Sequence, residues 1–338
     1  MNPVMHIANL IVELGASPDE VFSEVGISAD LFLNPENTIS AEQLELLLVR
    51  CVAATDCEYF GLLLGAGAIG NPLGLLGEVL VHCKNVGTAI AYFQQYFHLH
   101  DRIGLAIRST HGKVGAIGYT LFGGKSPGSD QISDGAVAVA VSLLRHLVGP
   151  FWSPTAVHLP RSTPVDVKPY INAFGCVPHF GAMRAEIHFP TTDFTRKIAN
   201  ADPTKFALLS ERLHAVADQN DLSLAEQVAR VARALLVLQR GSRDSICAMF
   251  SMSTRSMNRA LQAEGTTYRQ IWQDARRALA ERLISRTDMP LEDISAMLGY
   301  SEASALTRAF RGWHGCSPRV WRDARKAGHA ASHAKVRR

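Results

Sequence analysis

Two groups of residues in this chain have the types and spacing to do chemistry. The first is His98-Leu99-His100-Asp101. On a strand, both imidazoles would share one face, which metal ligation could use. A metal site needs further ligands, and the sequence offers no second cluster. Cys51-x5-Cys57 departs from zinc spacing. No Gly-x-Ser-x-Gly, phosphate-binding loop or dinucleotide-binding glycine pattern stands in a fitting context. The motif therefore reads as a polar loop after a helix.

The second group lies on a repeat. Ile246-Cys-Ala-Met-Phe-Ser-Met-Ser253 aligns with Ile294-Ser-Ala-Met-Leu-Gly-Tyr-Ser301 at an offset of 48, with four of eight positions identical. After one extra residue, Arg259-Ala-Leu261 aligns with Arg308-Ala-Phe310 at an offset of 49. Each copy reads as a short apolar helix, a tight turn, a serine N-cap (Ser253, Ser301) and a second helix. That is a helix-turn-helix, whose second helix can lie in a DNA major groove. Met257 and Leu261 face inward in the first copy, and Leu306 and Phe310 in the second. Arg255, Asn258 and Arg259, and Ser304, Ala305 and Arg308, then face outward. Arg can pair with guanine O6/N7, Asn with adenine and Ser with base edges or phosphate, while an Ala methyl can touch thymine. The bland reading of the same residues is a solvated helix face.

The elements that must position these groups follow from periodicity. A helix over Tyr268–Ser285, about 27 Å long, joins the copies and would set them in successive major-groove windows, roughly 34 Å apart. Pro290 opens the helix before the second turn, with Ile294, Met297 and Leu298 as its apolar stripe; Gly299 makes that turn, where the first copy has Ser251. Upstream, helices are expected at Thr204–Gln219 and Ser223–Gln239. In the latter, Val228, Val231, Leu235 and Leu238 form a seam that packs either on its own domain or across a dimer. The first hundred residues read as helices, over Pro3–Leu14, after Ser17-Pro18 and Ser40, and near Leu73–His82 and Val86–Phe97. Ile103–Ser109 and Val114–Leu121 read as a hairpin around His111-Gly112-Lys113. A helix is expected from Ser133 or Asp134 to Gly149-Pro150, despite its Ala-Val alternation, with short strands at Thr155–Leu159 and Ala185–Phe189.

These expectations give an α+β N-terminal domain, mixed, with a small sheet and helices, over 1–200. A helical linker spans 201–240, with the boundary at Gly241-Ser242. An all-α domain with two helix-turn-helix motifs follows over 241–326, then a basic tail, 327–338. Charge supports the division. The chain has 338 residues and a net charge of +3. Residues 1–240 carry 17 Lys/Arg against 22 Asp/Glu, and residues 241–338 carry 17 against 9. A net of +8 on the back segment suits a polyanion. The six cysteines read as reduced thiols. Glu13 interrupts the apolar N-terminal stretch, so neither a signal peptide nor a membrane span is expected.

The second copy, with Ser304, Arg308, Phe310-Arg311, Trp313, Gly315 and Ser317-Pro318, resembles the AraC/XylS family of bacterial transcription regulators. In the first copy, Met252-Ser253, Arg255, Arg259, Leu261 and Ala263-Glu-Gly265-Thr add to the likeness, which spans about Gly241–Arg325. Ser251 departs from the family's turn glycine, and Leu306 stands where Phe is frequent. The front half, at Ile39-Ser40-Ala41-Glu42-Gln43-Leu44, Phe60-Gly61-Leu62, Gly74-Leu75-Leu76-Gly77 and Phe174-Gly175-Cys176, resembles the family's arabinose-binding-type N-terminal domain. The resemblance implies base reading by Arg255, Asn258, Arg259, Ser304, Ala305 and Arg308. It also implies a small-molecule effector of unstated identity, a homodimer, contact with RNA polymerase, activation of transcription, a cytoplasmic location and no cofactor. Two other readings stay open: an enzyme, metal-dependent or DNA-repair, fused to a DNA-binding domain, and an architectural DNA binder using the tail with Lys335, Arg337 and Arg338.

Overall fold

The structure, a computed structural model, describes residues 6–32, 37, 39–68, 73–122, 125–219, 223–237, 243, 246–247, 250 and 252–324. Pro3, Leu238, Gly241-Ser242, Ser251 and the tail 327–338 lie outside the described residues. The chain divides into two compact units, residues 1–121 with 127–221, and residues 222–338 with 122–126.

The first unit opens with helices whose starts the sequence dictates. They are α1 (Ile7–Glu13), α2 (Pro18–Val25), α3 (Ala41–Thr55), α4 (Phe60–Ala66), α5 (Leu75–Val81) and α6 (Val86–Tyr96). Ser17 accepts from the Glu20 N–H at the head of α2, and Pro18 takes the first helical position. Ser40 and Gln43 form a reciprocal capping box on α3. Asn85 caps α6 by accepting from the Thr88 N–H at 2.8 Å.

The hairpin follows as expected. Strands β1 (Gly104–His111) and β2 (Val114–Leu121) pair antiparallel from Gly104–Leu121 down to His111–Val114. This leaves Gly112 and Lys113 as a two-residue loop. Gly112 adopts φ +60°, the conformation the first loop position of a type II′ turn requires. Strands β3 (Ala156–His158) and β4 (Ala185–Pro190) complete an antiparallel sheet of order β1-β2-β4-β3. Ala185, Ile187 and Phe189 turn into the core, while Glu186 and His188 stay half-buried. Further helices are α7 (Ser129–Val148), α8 (Lys168–Phe174) and α9 (Pro203–Gln219).

Helix α7 corrects one expectation. It begins at Ser129 with Gly128 as N-cap, not at Ser133 or Asp134. Both of those residues are buried inside it. Asp134 read as a cap because Asp is common there; the fold gives it tertiary partners instead. Its carboxylate accepts from Arg161 Nη1 at 2.7 Å and from the Tyr170 hydroxyl at 2.7 Å. Arg161 also bonds Glu58 Oε1 at 3.0 Å. Burial pushes the Asp134 carboxyl up to about 6, against the lowering effect of Arg161 and Tyr170. The Ala-Val alternation does lie in helix, because Val137, Ala138, Val141 and Leu144 are buried at three- and four-residue steps.

Helices α4 and α7 touch backbone to backbone. A Cβ on Gly61 would sit 2.1 Å from the Gln131 carbonyl oxygen, and one on Gly65 would sit 2.2 Å from that of Gly135. Gln131 reinforces the seam, accepting from the Gly61 N–H and donating to the Glu58 carbonyl, both at 2.7 Å.

In the second unit, α10 (Leu224–Val237), α11 (Thr254–Ala263), α12 (Tyr268–Arg286), α13 (Leu291–Met297) and α14 (Ala303–His314) are described, with a helical segment at 318–324. Val228, Val231 and Leu235 are buried, and α10 packs on α12 within the unit. The stripe is therefore internal packing. The expected linker 201–240 also divides differently, with α9 in the first unit and α10 in the second. All six cysteines are free. Among the described residues no helix is long and apolar enough to cross a membrane.

Arg161→Met should cost about 3–5 kcal/mol, because it strands a buried carboxylate, as measured by urea unfolding. The Asp134 carboxyl sits above its unfolded value, so the folded state holds the extra proton between them. Without Arg161 that carboxyl would titrate higher still, so the loss should shrink as pH falls towards about 6 and level off below it, where both folded forms hold the proton. A loss that grew on acidification would contradict the burial argument.

Candidate nucleic-acid interface

The site starts from two helices with one burial pattern. On α11, Met257 and Leu261 are fully buried, and on α14 Leu306 and Phe310 are fully buried. Each pair is one turn apart, so the opposite edge of each helix faces solvent. Arg255 and Arg259 lie exposed on α11, and Ser304 and Arg308 lie exposed on α14; Asn258 and Ala305 are half-buried.

Local chemistry fixes the helix starts. Ser253 caps α11 by accepting from the Ser256 N–H at 3.1 Å. Ser301 is not a cap. Helix α14 begins one residue later than expected, with Glu302 at the N-cap in extended backbone and no side-chain cap bond. The extra residue of the repeat falls in this turn, so the counterpart of Ser253 at the resumed offset is residue 302. The turn itself is as expected: Gly299 takes φ +75°, and its N–H bonds the Ala296 carbonyl at 3.0 Å. In α13, Ile294, Ser295 and Leu298 are buried, while Met297 is only half-buried.

Glu264 has a role that its sequence motif does not disclose. Its carboxylate accepts from the Leu224 and Ala225 N–H groups at 3.0 and 2.8 Å, tying the end of α11 to the start of α10. There it also meets the favourable end of the helix dipole. Ser223 and Glu226 complete this start as a capping box. Helix α12 runs 19 residues, about 28 Å, and carries the spacing between the two motifs. Its C-terminal end is held by the last helical segment. Arg322 donates to the Ile284 and Met289 carbonyls at 3.1 and 2.8 Å, and Trp321 donates to Ser285 at 2.9 Å.

The charged groups differ in freedom. Among the described residues, no carboxylate pairs with Arg255 or Arg259. Arg308 bonds Ser304 at 3.2 Å and lies 3.7 Å from Glu302. Its side chain is 71% exposed, so this pairing is worth about 0–1 kcal/mol. A bidentate arginine–guanine pair is worth about 1–3 kcal/mol, so a base would win. Asn258 is partly engaged, its oxygen accepting from Arg243. Of the arginines along α12, Arg276 lies over the Tyr300 ring at 5.3 Å and beside Gly299. It braces the second turn. Arg277 pairs with Asp274 and Glu281.

The first unit encloses a cavity of about 660 Å³ among α3 to α7, α9 and the sheet. His100 and Asp101 lie on its wall. His98 and His100 do not share the strand face that the metal reading required. Phe97–Leu99 form a 3-10 turn, and Asp101 accepts from the Ile103 and Gly104 N–H groups and the Tyr119 hydroxyl at 2.7, 3.0 and 2.8 Å.

Two exposed, arginine-bearing helices on tandem helix-turn-helix motifs, with a cavity-bearing α+β unit before them, define a ligand-responsive DNA-binding protein. Comparisons agree. Residues 15–198 match the arabinose-binding domain of AraC transcription regulators, and residues 246–324 match a helix-turn-helix domain. The HTH-type transcriptional regulator VirS of Mycobacterium tuberculosis is 28% identical over 319 residues, 93% of each chain. The ornithine utilization regulator of Pseudomonas aeruginosa is 25% identical over 328 residues, 94% of each chain. The transcriptional activator NphR of a Rhodococcus species is 33% identical over 108 residues, 30% of this chain and 31% of that one. The crystal structure of the regulator CdpR from Pseudomonas aeruginosa aligns with a TM-score of 0.44 at 19% identity, covering 90% of this chain and 96% of that chain. The chain belongs to the AraC family of transcription regulators, with an N-terminal effector-binding domain and a C-terminal helix-turn-helix DNA-binding domain.

The two serines should separate cleanly. Ser253→Ala should cost about 1 kcal/mol in thermal unfolding of the DNA-binding unit. Ser301→Ala should stay within about 0.5 kcal/mol, as a surface change. Equal losses would restore Ser301 as a cap.

Proposed function

We propose that this protein is a bacterial cytoplasmic activator that reads two successive major-groove windows from one subunit and acts as a homodimer beside RNA polymerase. The observation that carries this reading is the matched pair of helices. Arg259 and Arg308 stand at equivalent, exposed positions, each flanked by two fully buried side chains one turn apart. Arg255 and Arg259 read the first window, and Ser304, Ala305 and Arg308 read the second. Asn258 contributes through its amide N–H alone, because its oxygen is held by Arg243 and a bidentate adenine contact needs both atoms. Activation is supported by the relative NphR, a transcriptional activator. Effector binding shifts the population towards an arrangement in which both DNA-binding domains reach their half-sites. This reading assigns the chain no catalysis.

Arg308→Ala should weaken specific-site binding by about 1–3 kcal/mol and random-DNA binding little. Arg259→Ala should relax a different set of base pairs in a footprint. Equal losses on both DNAs would assign Arg308 to phosphate. Overlapping footprints would end the two-window reading.

A further inference from the structure

The cavity of the first unit says what kind of molecule fits it. Its walls are apolar, with Leu48, Leu64, Phe93, Ile117, Ile132 and Leu143 among them. At about 660 Å³ it falls in the usual range for small-molecule sites, roughly 300–1,000 Å³. Among the described residues, six polar side chains also line it: Asn37, His100, Asp101, Arg102, Tyr119 and Gln131.

Five of the six are already engaged inside the protein. Asn37 donates to the Leu31 carbonyl at 3.1 Å. Gln131 is bonded at both ends of its amide. Asp101 accepts from three donors, one of them Tyr119. Arg102 has its own partner. The sixth is His100. Its backbone N–H bonds the Phe97 carbonyl at 3.0 Å, but among the described residues its ring forms no hydrogen bond.

From this inventory we infer that the cavity takes a predominantly apolar small molecule bearing one uncharged hydrogen-bonding group, a hydroxyl or ketone, seated against the His100 ring. The inference rests on the reading of the first unit as the effector domain and names its ligand class. A pentose would bring several hydroxyls to a wall on which, among the described polar side chains, only the His100 ring shows no hydrogen bond. Each buried hydroxyl left unpaired costs about 1–3 kcal/mol. An α-amino acid would bring two charges, and desolvating an unpaired charge costs more. Asp101 and Arg102 cancel in charge, so that end of the cavity favours neither an anionic nor a cationic head. The packed surroundings hold the His100 imidazole below its ordinary range, against the raising effect of Asp101, although the residue itself keeps an exposed surface. The neutral ring offers one donor and one acceptor, which suits a hydroxyl or carbonyl.

The test uses the full chain and eight-carbon probes: 1-octanol, 2-octanone, octanoate and octylammonium, beside L-arabinose and L-ornithine. Thermal unfolding should show a saturable rise with octanol and octanone, roughly 5–10 °C near saturation, and none with arabinose or ornithine. Ala140→Phe, which fills the cavity from α7, should abolish the rise. His100→Leu should weaken octanol about tenfold, the worth of one hydrogen bond, and would keep the test decisive if the first variant failed to fold. The inference is overturned if octanoate, octylammonium, arabinose or ornithine binds more tightly than octanol. It is also overturned if no eight-carbon probe binds, or if His100→Leu leaves octanol affinity unchanged. Octanol that binds with these signatures and leaves operator affinity unaltered would uphold the ligand class while removing the effector reading.

Discussion

The DNA-facing surface depends on one constraint: a helix buried by two side chains a turn apart has only one edge left for solvent. Met257 and Leu261 impose this on α11, and Leu306 and Phe310 impose it on α14. Each pair fixes the rotation of its helix about its own axis. Which residues of each helix face solvent is then settled without any reference to DNA. The same constraint explains why the two motifs share their pattern although their turns differ in length. An added residue before the cap moves the helix start, and the buried pair moves with it.

The exposed edges are not equivalent. Arg255 and Arg259 stand without carboxylate partners among the described residues, whereas Arg308 is drawn back along its own helix by Ser304 and Glu302. Such exposed pairing is weak, yet it orders a long side chain before DNA arrives. Ordering a flexible side chain on binding costs about 0.5–1.5 kcal/mol. A pre-ordered arginine would lose less in any contact that Arg308 makes.

In the effector-binding unit, α7 makes two unlike contacts from neighbouring positions. Asp134 is matched to Arg161 and Tyr170. Gln131 and Gly135 lie against α4, where Gly61 and Gly65 allow backbone contact. Small residues on this seam, Gly61, Gly65, Gly135 and Ala136, also form part of the cavity wall. Space for a ligand and close helix packing thus come from the same absence of side-chain volume. Polar groups nearby are spent on holding the fold, which is why the cavity remains apolar despite having six polar residues on its wall.

What the sequence determined by itself was local or periodic. The 48- and 49-residue offsets exposed the two motifs. Serine and proline marked the starts of α2, α3 and α11, and His111-Gly112-Lys113 marked the hairpin. These signals act within a few residues, or repeat at the period of the element, so they survive without a partner. The remaining features needed the tertiary structure. Asp134 reads as a cap until Arg161, 27 residues away, comes to it across the core. Glu264 reads as a surface acid until the start of α10, 40 residues before it, presents free N–H groups. Glu302 was within reach, since the offset change already moved the cap by one residue. The cavity was not, because its wall gathers residues from Asn37 to Val216, and no sequence period records that convergence.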